Sequence, residues 1–161
     1  MHIREIEERD NQVLGEIIQQ SLEENNLAIP GTVYFDANLF KLSHYYEQEK
    51  AQYWVLEKEG TVIGGCGVGP YRDDIGEIQK LYIVKEEQGN GYAHLLIKKA
   101  LAFAEEHYTT CYIETFASLN KANQLYLKYG FHVLSEPLEG SEHGACDTWL
   151  LKELRNTHDT E

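Results

Sequence analysis

The sequence lacks a long apolar run, a cysteine cluster and an apolar leader. A membrane-spanning helix needs about 18 consecutive apolar residues, and no run in the 161 residues approaches that length. The three cysteines, Cys66, Cys111 and Cys146, are widely spaced, so they form neither a disulfide framework nor a CxxC metal motif. The first ten residues, MHIREIEERD, are charged, unlike a signal peptide. We therefore expect free thiols, no metal, no membrane partner and a cytoplasmic location.

The sequence also has little positive charge. Lysine and arginine number 14 against 27 aspartates and glutamates, for a net charge of −13. Non-specific binding to nucleic acid requires a basic surface, so we expect no nucleic-acid partner. The acidic balance is compatible with a cationic amine substrate, although solubility alone would also account for it.

The chain shows no repeat and no low-complexity linker, which predicts one domain over residues 1–154 and a polar tail over residues 155–161. Apolar periodicity predicts the order β-α-α-β-β-β-α-β-α-β-β. The predicted helices are residues 11–24, capped by Asp10 or Asn11, then about 37–49, then one from the glycine loop to about His107, and 120–130, with Asn120 as a cap and Gly130 as the end. The predicted strands are residues 2–7, 51–58, 61–71, 76–84, 110–116, 131–136 and 146–154.

These elements predict a mixed, mostly antiparallel sheet covered by helices. Hairpin-length links, including a turn at Glu59-Gly60, predict antiparallel pairing of three consecutive strands. The following strand–helix–strand unit predicts a parallel pair. In the strand at residues 76–84, strict alternation places Ile78, Lys80 and Tyr82 on one face and Glu77, Gln79, Leu81 and Ile83 on the other.

A glycine-rich loop, Gln88-Gly89-Asn90-Gly91-Tyr92-Ala93, lies between this strand and the following helix. Backbone N–H groups at such a helix start converge and favour a phosphate or pyrophosphate. The loop lacks the GK[ST] ending of a P-loop and is too short for GxGxxG. Taken alone, the motif fits a purely structural turn equally well.

Combined with its surroundings, the loop resembles that of the GNAT superfamily of acetyl-CoA-dependent N-acetyltransferases. The strand EIQKLYIV is similar to the fourth strand of that family, and QGNGYA is similar to its Gln/Arg-x-x-Gly-x-Gly/Ala loop. ANQLYLKYGF, residues 122–131, resembles its A-x-x-L-Y-x-K-x-G-F helix end. The resemblance implies an α/β (α+β) acyl-CoA N-acyltransferase fold with about seven strands and about four helices.

The resemblance also implies a mode of cofactor binding. Main-chain groups of Leu81, Tyr82 and Ile83 would pair with the pantetheine arm of acetyl-CoA, where the strand diverges from its neighbour. The pyrophosphate would be held by Gln88, Gly89, Asn90, Gly91, Tyr92 and Ala93, with His94, and Asn120 would contact the cofactor or cap its helix. The loop lacks the cation that many members carry, so neutralisation would rest on backbone dipoles and on Lys85, Lys98 or Lys99. We expect this to weaken binding somewhat.

Two residues match catalytic positions of the family. Tyr126 matches the tyrosine that protonates the coenzyme A thiol in many members, and Tyr129 is a poorer match. Glu77 matches a general base in some members, and the backbone N–H of Ile83 would polarise the thioester carbonyl. The alternatives are a tyrosine packed against the sheet and a solvated glutamate near the start of a strand.

The segment EHGACDTW places His143, Cys146 and Asp147 where the last hairpin of the family borders the acceptor. A substrate contact is one interpretation of these residues, and a packed cysteine or a Cys/His nucleophile are others. The predicted function is acetyl transfer from acetyl-CoA to a primary amine of a small molecule or peptide by direct attack. The alternative is a non-catalytic acyl-CoA-binding or sensing domain. The acceptor loops carry no readable specificity, and a homodimer remains open.

Overall fold

A computed structural model describes residues 1–154; the predicted polar tail lies outside the described residues. The elements follow the predicted order. The strands are β1 (His2–Glu5), β2 (Gln52–Lys58), β3 (Thr61–Arg72), β4 (Ile75–Ile83), β5 (Thr110–Thr115), β6 (His132–Leu134) and β7 (Thr148–Glu153). The helices are α1 (Asn11–Glu24), α2 (Leu42–Tyr45), α3 (Tyr92–His107) and α4 (Asn120–Lys128), with 3-10 turns at Glu8–Asp10, Val33–Phe35 and Lys85–Glu87.

The strands form one seven-stranded sheet in the order β1-β2-β3-β4-β5-β7-β6. The predicted antiparallel pairing of β2, β3 and β4 is confirmed, and so is the parallel pairing of β4 with β5. The β2–β3 turn contains Glu59 and Gly60, both with positive φ, as a tight hairpin turn requires. Within residues 1–154, no helix combines the length and apolarity that a membrane crossing demands.

Two apolar clusters cover the two faces of the sheet. α1 and α2 contribute Leu14, Ile18 and Leu42 to a cluster with Tyr53 and Val55 of β2. α3 and α4 contribute to the opposite cluster, which takes Trp54 and Leu56 from the same strand. Because side chains alternate along a strand, one strand supplies both cores.

The predicted second helix is wrong over most of its length. The predicted residues 37–49 contain only a four-residue helix, Leu42–Tyr45. The segment before it instead forms turns, and Leu39 and Tyr46 are buried against β2 from irregular backbone. A helix this short satisfies few of its own backbone groups, so tertiary packing rather than local propensity determines its extent.

The strict alternation predicted for β4 is also wrong. Gly65 pairs with Tyr82 while Gly67 pairs with Gln79, so β4 carries one extra residue, and Lys80 there has a φ of 53°. The hydroxyl of Tyr53 donates to the Lys80 carbonyl at 2.8 Å. This bulge places Lys80 beside Glu77, Gln79 and Tyr82 at a cavity on the α1 face. Ile78, Leu81 and Ile83 face the α3 side.

Candidate active site

The sheet opens between β4 and β5. Pairing of these strands covers only Ile75–Glu77 against Thr110–Tyr112, although β4 continues to Ile83. The Val84 N–H donates to the Ile63 carbonyl of β3, so the alternation of the ladder turns the peptide groups of Ile83 towards the open edge. The main chain predicted to bind pantetheine, Leu81–Ile83, therefore lies beside a gap in the sheet.

The glycine loop adopts a left-handed backbone that only glycine accommodates without strain. Gly89 and Gly91 have φ values of 86° and 79°, and a Cβ on either would meet nothing within 4 Å. Gly91 is the N-cap of α3 and supplies no side chain to the first-turn N–H groups. These donors therefore remain available to an anion.

The side chains of the loop hold its own backbone. Gln88 Nε2 donates to the Ile83 carbonyl at 2.9 Å, and Asn90 Nδ2 donates to the Glu87 carbonyl at 3.1 Å. His94 Nδ1 lies 3.1 Å from the Tyr129 hydroxyl. The side chains of Gln88 and His94 thus order the end of β4 and the start of α3.

Tyr126 is buried on α4, where its ring packs at 6.1 Å, centroid to centroid, from Phe131. Burial raises the pKa of its phenol well above the ordinary value, with smaller contributions from Cys66 and Tyr82. Such a phenol keeps its proton at neutral pH. Tyr126 also packs against Phe131, so the structural role given above as the alternative is present too.

Asn120 is the first residue of α4, and its predicted capping role is wrong because Leu119 is the N-cap. Asn123 instead ties the helix to β5, with Nδ2 donating to the Phe116 carbonyl at 2.9 Å. Gly130 ends the helix as predicted, with a φ of 95°.

Glu77 lies where β4 and β5 separate. Burial raises the pKa of its carboxyl to about 7, opposed by a hydrogen bond from Gln79 Nε2 at 2.8 Å and reinforced by the charge of Glu114. A carboxylate with this pKa can accept a proton near neutral pH. Glu77 is half-buried, so it is less exposed than a fully solvated glutamate.

A second buried carboxylate and a histidine complete this part of the site. The Glu114 side chain is 3% exposed and accepts a hydrogen bond from the Tyr112 hydroxyl at 3.0 Å. His143 lies between carboxylates, with Nε2 at 3.1 Å from Asp36 Oδ1 and Nδ1 at 4.0 Å from Glu114. The hydrogen bond to Asp36 raises the pKa of His143, although burial acts against it.

The predicted set His143, Cys146 and Asp147 divides in the structure. His143 and Cys146 border a cavity, but the Asp147 carboxylate accepts hydrogen bonds from the Ala117 N–H at 2.8 Å and the Thr148 hydroxyl at 3.0 Å. Burial raises the pKa of Cys146 to about 12, so its thiol stays protonated. A nucleophilic cysteine needs a thiolate and a carboxylate that orients its histidine. Cys146 stays protonated and Asp147 is bonded elsewhere, so the Cys/His nucleophile is not supported.

Two adjoining cavities, of about 90 and about 290 Å³, meet at Glu77, Gln79, Lys80, Glu114 and His143. Asp36, Lys80 and Glu114 are parts of this site that were not predicted from the sequence. The register of β4 against β5 could have indicated Glu114, since Tyr112 pairs with Glu77 and Glu114 lies two residues further on the same face. No motif in the sequence indicates that Asp36 lies beside His143.

A mixed sheet that opens beside a glycine loop and a buried carboxylate defines an acyl-CoA N-acyltransferase fold. The sequence model of the Acetyltransferase (GNAT) family matches residues 16–131. The chain therefore belongs to the GNAT acetyltransferase family, as the resemblance predicted. It is 36% identical over 157 residues to an Escherichia coli K12 protein described as the uncharacterised N-acetyltransferase YjgM, covering 94% of both chains.

Solved structures agree on the fold. A GNAT-family acetyltransferase from Staphylococcus aureus superposes with a TM-score of 0.80 at 18% identity, covering 96% of this chain and 99% of that one. The Salmonella typhimurium acetyltransferase yncA, solved with acetyl-CoA, superposes with a TM-score of 0.76 at 17% identity, covering 97% of this chain and 95% of that one. The predicted fold is thereby confirmed.

Proposed function

We propose that this protein transfers the acetyl group of acetyl-CoA to a primary amine of a small molecule or peptide by direct attack. The observation that carries the proposal is the position of Glu77 where the sheet opens, with a half-buried carboxyl whose pKa is raised to about 7. A base of this kind removes a proton from an ammonium before the amine attacks. The bound acetyl-CoA of the yncA structure supports the choice of cosubstrate.

The cofactor would lie along the open edge of β4. Main-chain groups of Leu81, Tyr82 and Ile83 would hold the pantetheine arm, and residues 88–93 with the start of α3 would hold the pyrophosphate. His94 and Asn120 stay in this proposal as residues bordering the cofactor. The N–H of Ile83, directed to the open edge, would polarise the thioester carbonyl as negative charge develops.

The transfer would then need one base and one acid. Glu77, directly or through water, would deprotonate the amine, which attacks the thioester carbonyl. The C–S bond breaks, and Tyr126 would protonate the departing thiolate. His143 and Cys146 would contact the acceptor from the cavity wall, while Asp147 would support them by ordering the neighbouring loop.

Calorimetric titration with acetyl-CoA, followed by thiol release with a panel of amines, tests this proposal. Gly91→Glu would place a carboxylate in the anion cradle and abolish micromolar binding. Gly60→Glu is the control, because Gly60 has a similar φ of 80° and open space around it, on the β2–β3 turn. Tyr126→Phe would lower kcat with little effect on the KM for acetyl-CoA.

The outcomes separate the enzyme from its alternatives. No binding at millimolar acetyl-CoA would refute the cofactor assignment. Binding without thiol release for any amine would favour the non-catalytic acyl-CoA-binding domain.

A further inference from the structure

Lys80 places a charged side chain inside the protein. Its side chain is only 5% exposed, yet it borders both cavities of the candidate site. The extra residue in β4 and the hydrogen bond from Tyr53 to its carbonyl hold the backbone there. The ammonium is thus directed to the cavity by a bulge rather than by regular alternation.

The Lys80 ammonium has one ion-pair partner, Asp36, and no acceptor closer than this carboxylate among residues 1–154. Its nearest carboxylate oxygen, Asp36 Oδ2, lies 3.7 Å away, which exceeds hydrogen-bond distance. Asp36 already accepts from His143, and the Tyr45 ring lies 5.7 Å from Lys80 Nζ. Because an ammonium has three donors, this long contact leaves Lys80 able to donate to a closer oxygen from a ligand in the cavity.

Burial of Lys80 also favours a negatively charged partner for its ammonium. Burial lowers the pKa of its ammonium even though Asp36 and Glu77 favour the charged form. A negatively charged ligand oxygen would stabilise the ammonium form of Lys80, which burial disfavours.

The larger cavity has both signs of charge on its wall. A purely cationic amine would meet its carboxylates but leave the Lys80 ammonium without an acceptor. A zwitterion would pair with both. The charged groups of this wall are Asp36, Glu77, Glu114, Glu142, Lys80 and His143.

We propose that Lys80 binds the carboxylate of the acceptor, and that the acceptor is a free amino acid whose amine faces Glu77. This proposal rests on the N-acetyltransferase function proposed above. Glu77 and Lys80 lie on the wall of the same cavity, so both can face one bound amino acid, with its amine towards Glu77 and its carboxylate towards Lys80. The cavity of about 290 Å³ is on the scale of a small ligand.

Matched acceptors test the proposal directly. The twenty amino acids and their carboxamides would be compared by thiol release, because the amide keeps the amine and removes the negative charge. We expect at least one amino acid to exceed its amide by about tenfold or more in kcat/KM. Lys80→Met should abolish that preference by lowering kcat/KM for the acid about 10- to 100-fold, with the KM for acetyl-CoA unchanged.

Lys50→Met is the matched control. Lys50 has a φ of 60°, and its carbonyl accepts from the Tyr108 hydroxyl, but its side chain is exposed. It should retain wild-type preference. Lys80→Gln provides a second neutral variant should Lys80→Met fold poorly, and thermal unfolding monitors both.

Each result has a distinct meaning. Amides used as well as acids, or equal losses for acid and amide in Lys80→Met, would overturn the Lys80 proposal and leave the acetyltransferase intact. No thiol release with any amine would overturn the acetyltransferase function. Calorimetric titration of the coenzyme A complex with the amino acids would then decide the Lys80 proposal: binding lost in Lys80→Met would support it, and no binding to the wild type would refute it.

Discussion

At the scale of single residues, the role proposed for Glu77 would couple catalysis to stability. Its carboxyl is neutral below about pH 7 in the folded protein and ionises near 4.5 when unfolded. Since the folded pKa is the higher one, the contribution of Glu77 to stability is fully present below the unfolded pKa and is lost as the pH rises through about 7. A proton-accepting role requires the same ionised form that destabilises the fold.

We therefore expect Glu77→Gln to change activity and stability in opposite directions. The rate with a fixed amine should fall about 100- to 10,000-fold and lose its rise through about pH 7. The free energy of unfolding at pH 8 should increase by about 2 to 3 kcal/mol, with no gain near pH 4. Steady-state rates across pH and urea unfolding at both pH values measure these effects.

Glu49→Gln, at an exposed carboxylate, should leave both properties unchanged. A Glu77→Gln variant that is less stable at pH 8, or that keeps the wild-type pH profile, would contradict the role given to Glu77.

How far the sequence predicts this site depends on the residue. Glu77 and Tyr126 could be selected because each matches a position in a local family motif. Strict alternation sets Lys80 opposite Glu77, whereas the bulge that arises from the pairing of β4 with β3 brings the two residues to one face. His143 could be selected from its segment, but its contacts to Asp36 and Glu114 join distant parts of the chain, which no local pattern specifies.

At the scale of elements, an ion-pair network joins β1 to the 3-10 turn before α1 and to β2. Arg4 of β1 donates to both carboxylate oxygens of Asp10 at 2.8 Å and to Glu57 of β2 at 3.0 Å. Asp10 also accepts from the Glu7 N–H at 2.8 Å. It occupies the N-cap position of α1, but its side chain makes no capping hydrogen bond there, contrary to the prediction. Asn11, the other predicted cap, instead exchanges hydrogen bonds with Ser43.

This network predicts a pH-dependent loss in Asp10→Asn. Burial alone would raise the pKa of Asp10, but hydrogen bonds from Arg4 and Glu7 outweigh it and lower the pKa. The stabilisation is therefore present above the unfolded pKa and is lost as the pH falls through the lower folded pKa. At pH 7 the variant should lose about 2 to 3 kcal/mol in urea unfolding, because Arg4 loses one of its two hydrogen-bonded carboxylate partners and keeps the other, Glu57.

Glu8→Gln changes an exposed carboxylate in the same 3-10 turn and should stay within about 0.5 kcal/mol of wild type. An Asp10→Asn loss that is equally large at pH 2.5 would refute an electrostatic origin.

Elements with clear periodicity were predictable, while elements shaped by tertiary contacts were not. α1, α3 and α4 carry apolar stripes and begin and end within about three residues of the prediction. α2 does not, because Leu39 and Tyr46 are buried from irregular backbone on either side of its single turn. β6 is shorter than predicted since only His132–Leu134 reach β7.

At the scale of the whole molecule, the charge of −13 opposes a cofactor that carries phosphates. Glu86 and Glu87 adjoin the glycine loop, and Lys58 neutralises only Glu87, at 3.0 Å. Lys98 and Lys99 on α3 are exposed. Short-range binding at the loop would thus depend on backbone N–H groups, while the long-range field repels the cofactor.

Salt should therefore strengthen the binding of acetyl-CoA. Raising the ionic strength from about 0.01 M to about 0.15 M shortens the screening length from about 30 Å to about 8 Å, which removes most long-range repulsion but spares contacts at the loop. We expect the calorimetric Kd to fall about twofold to fivefold. Glu86→Gln should tighten binding at low salt more than at high salt. A Kd that instead rises steeply with salt would mean that Lys85, Lys98 and Lys99 supply the binding energy, and the backbone cradle would then be secondary to them.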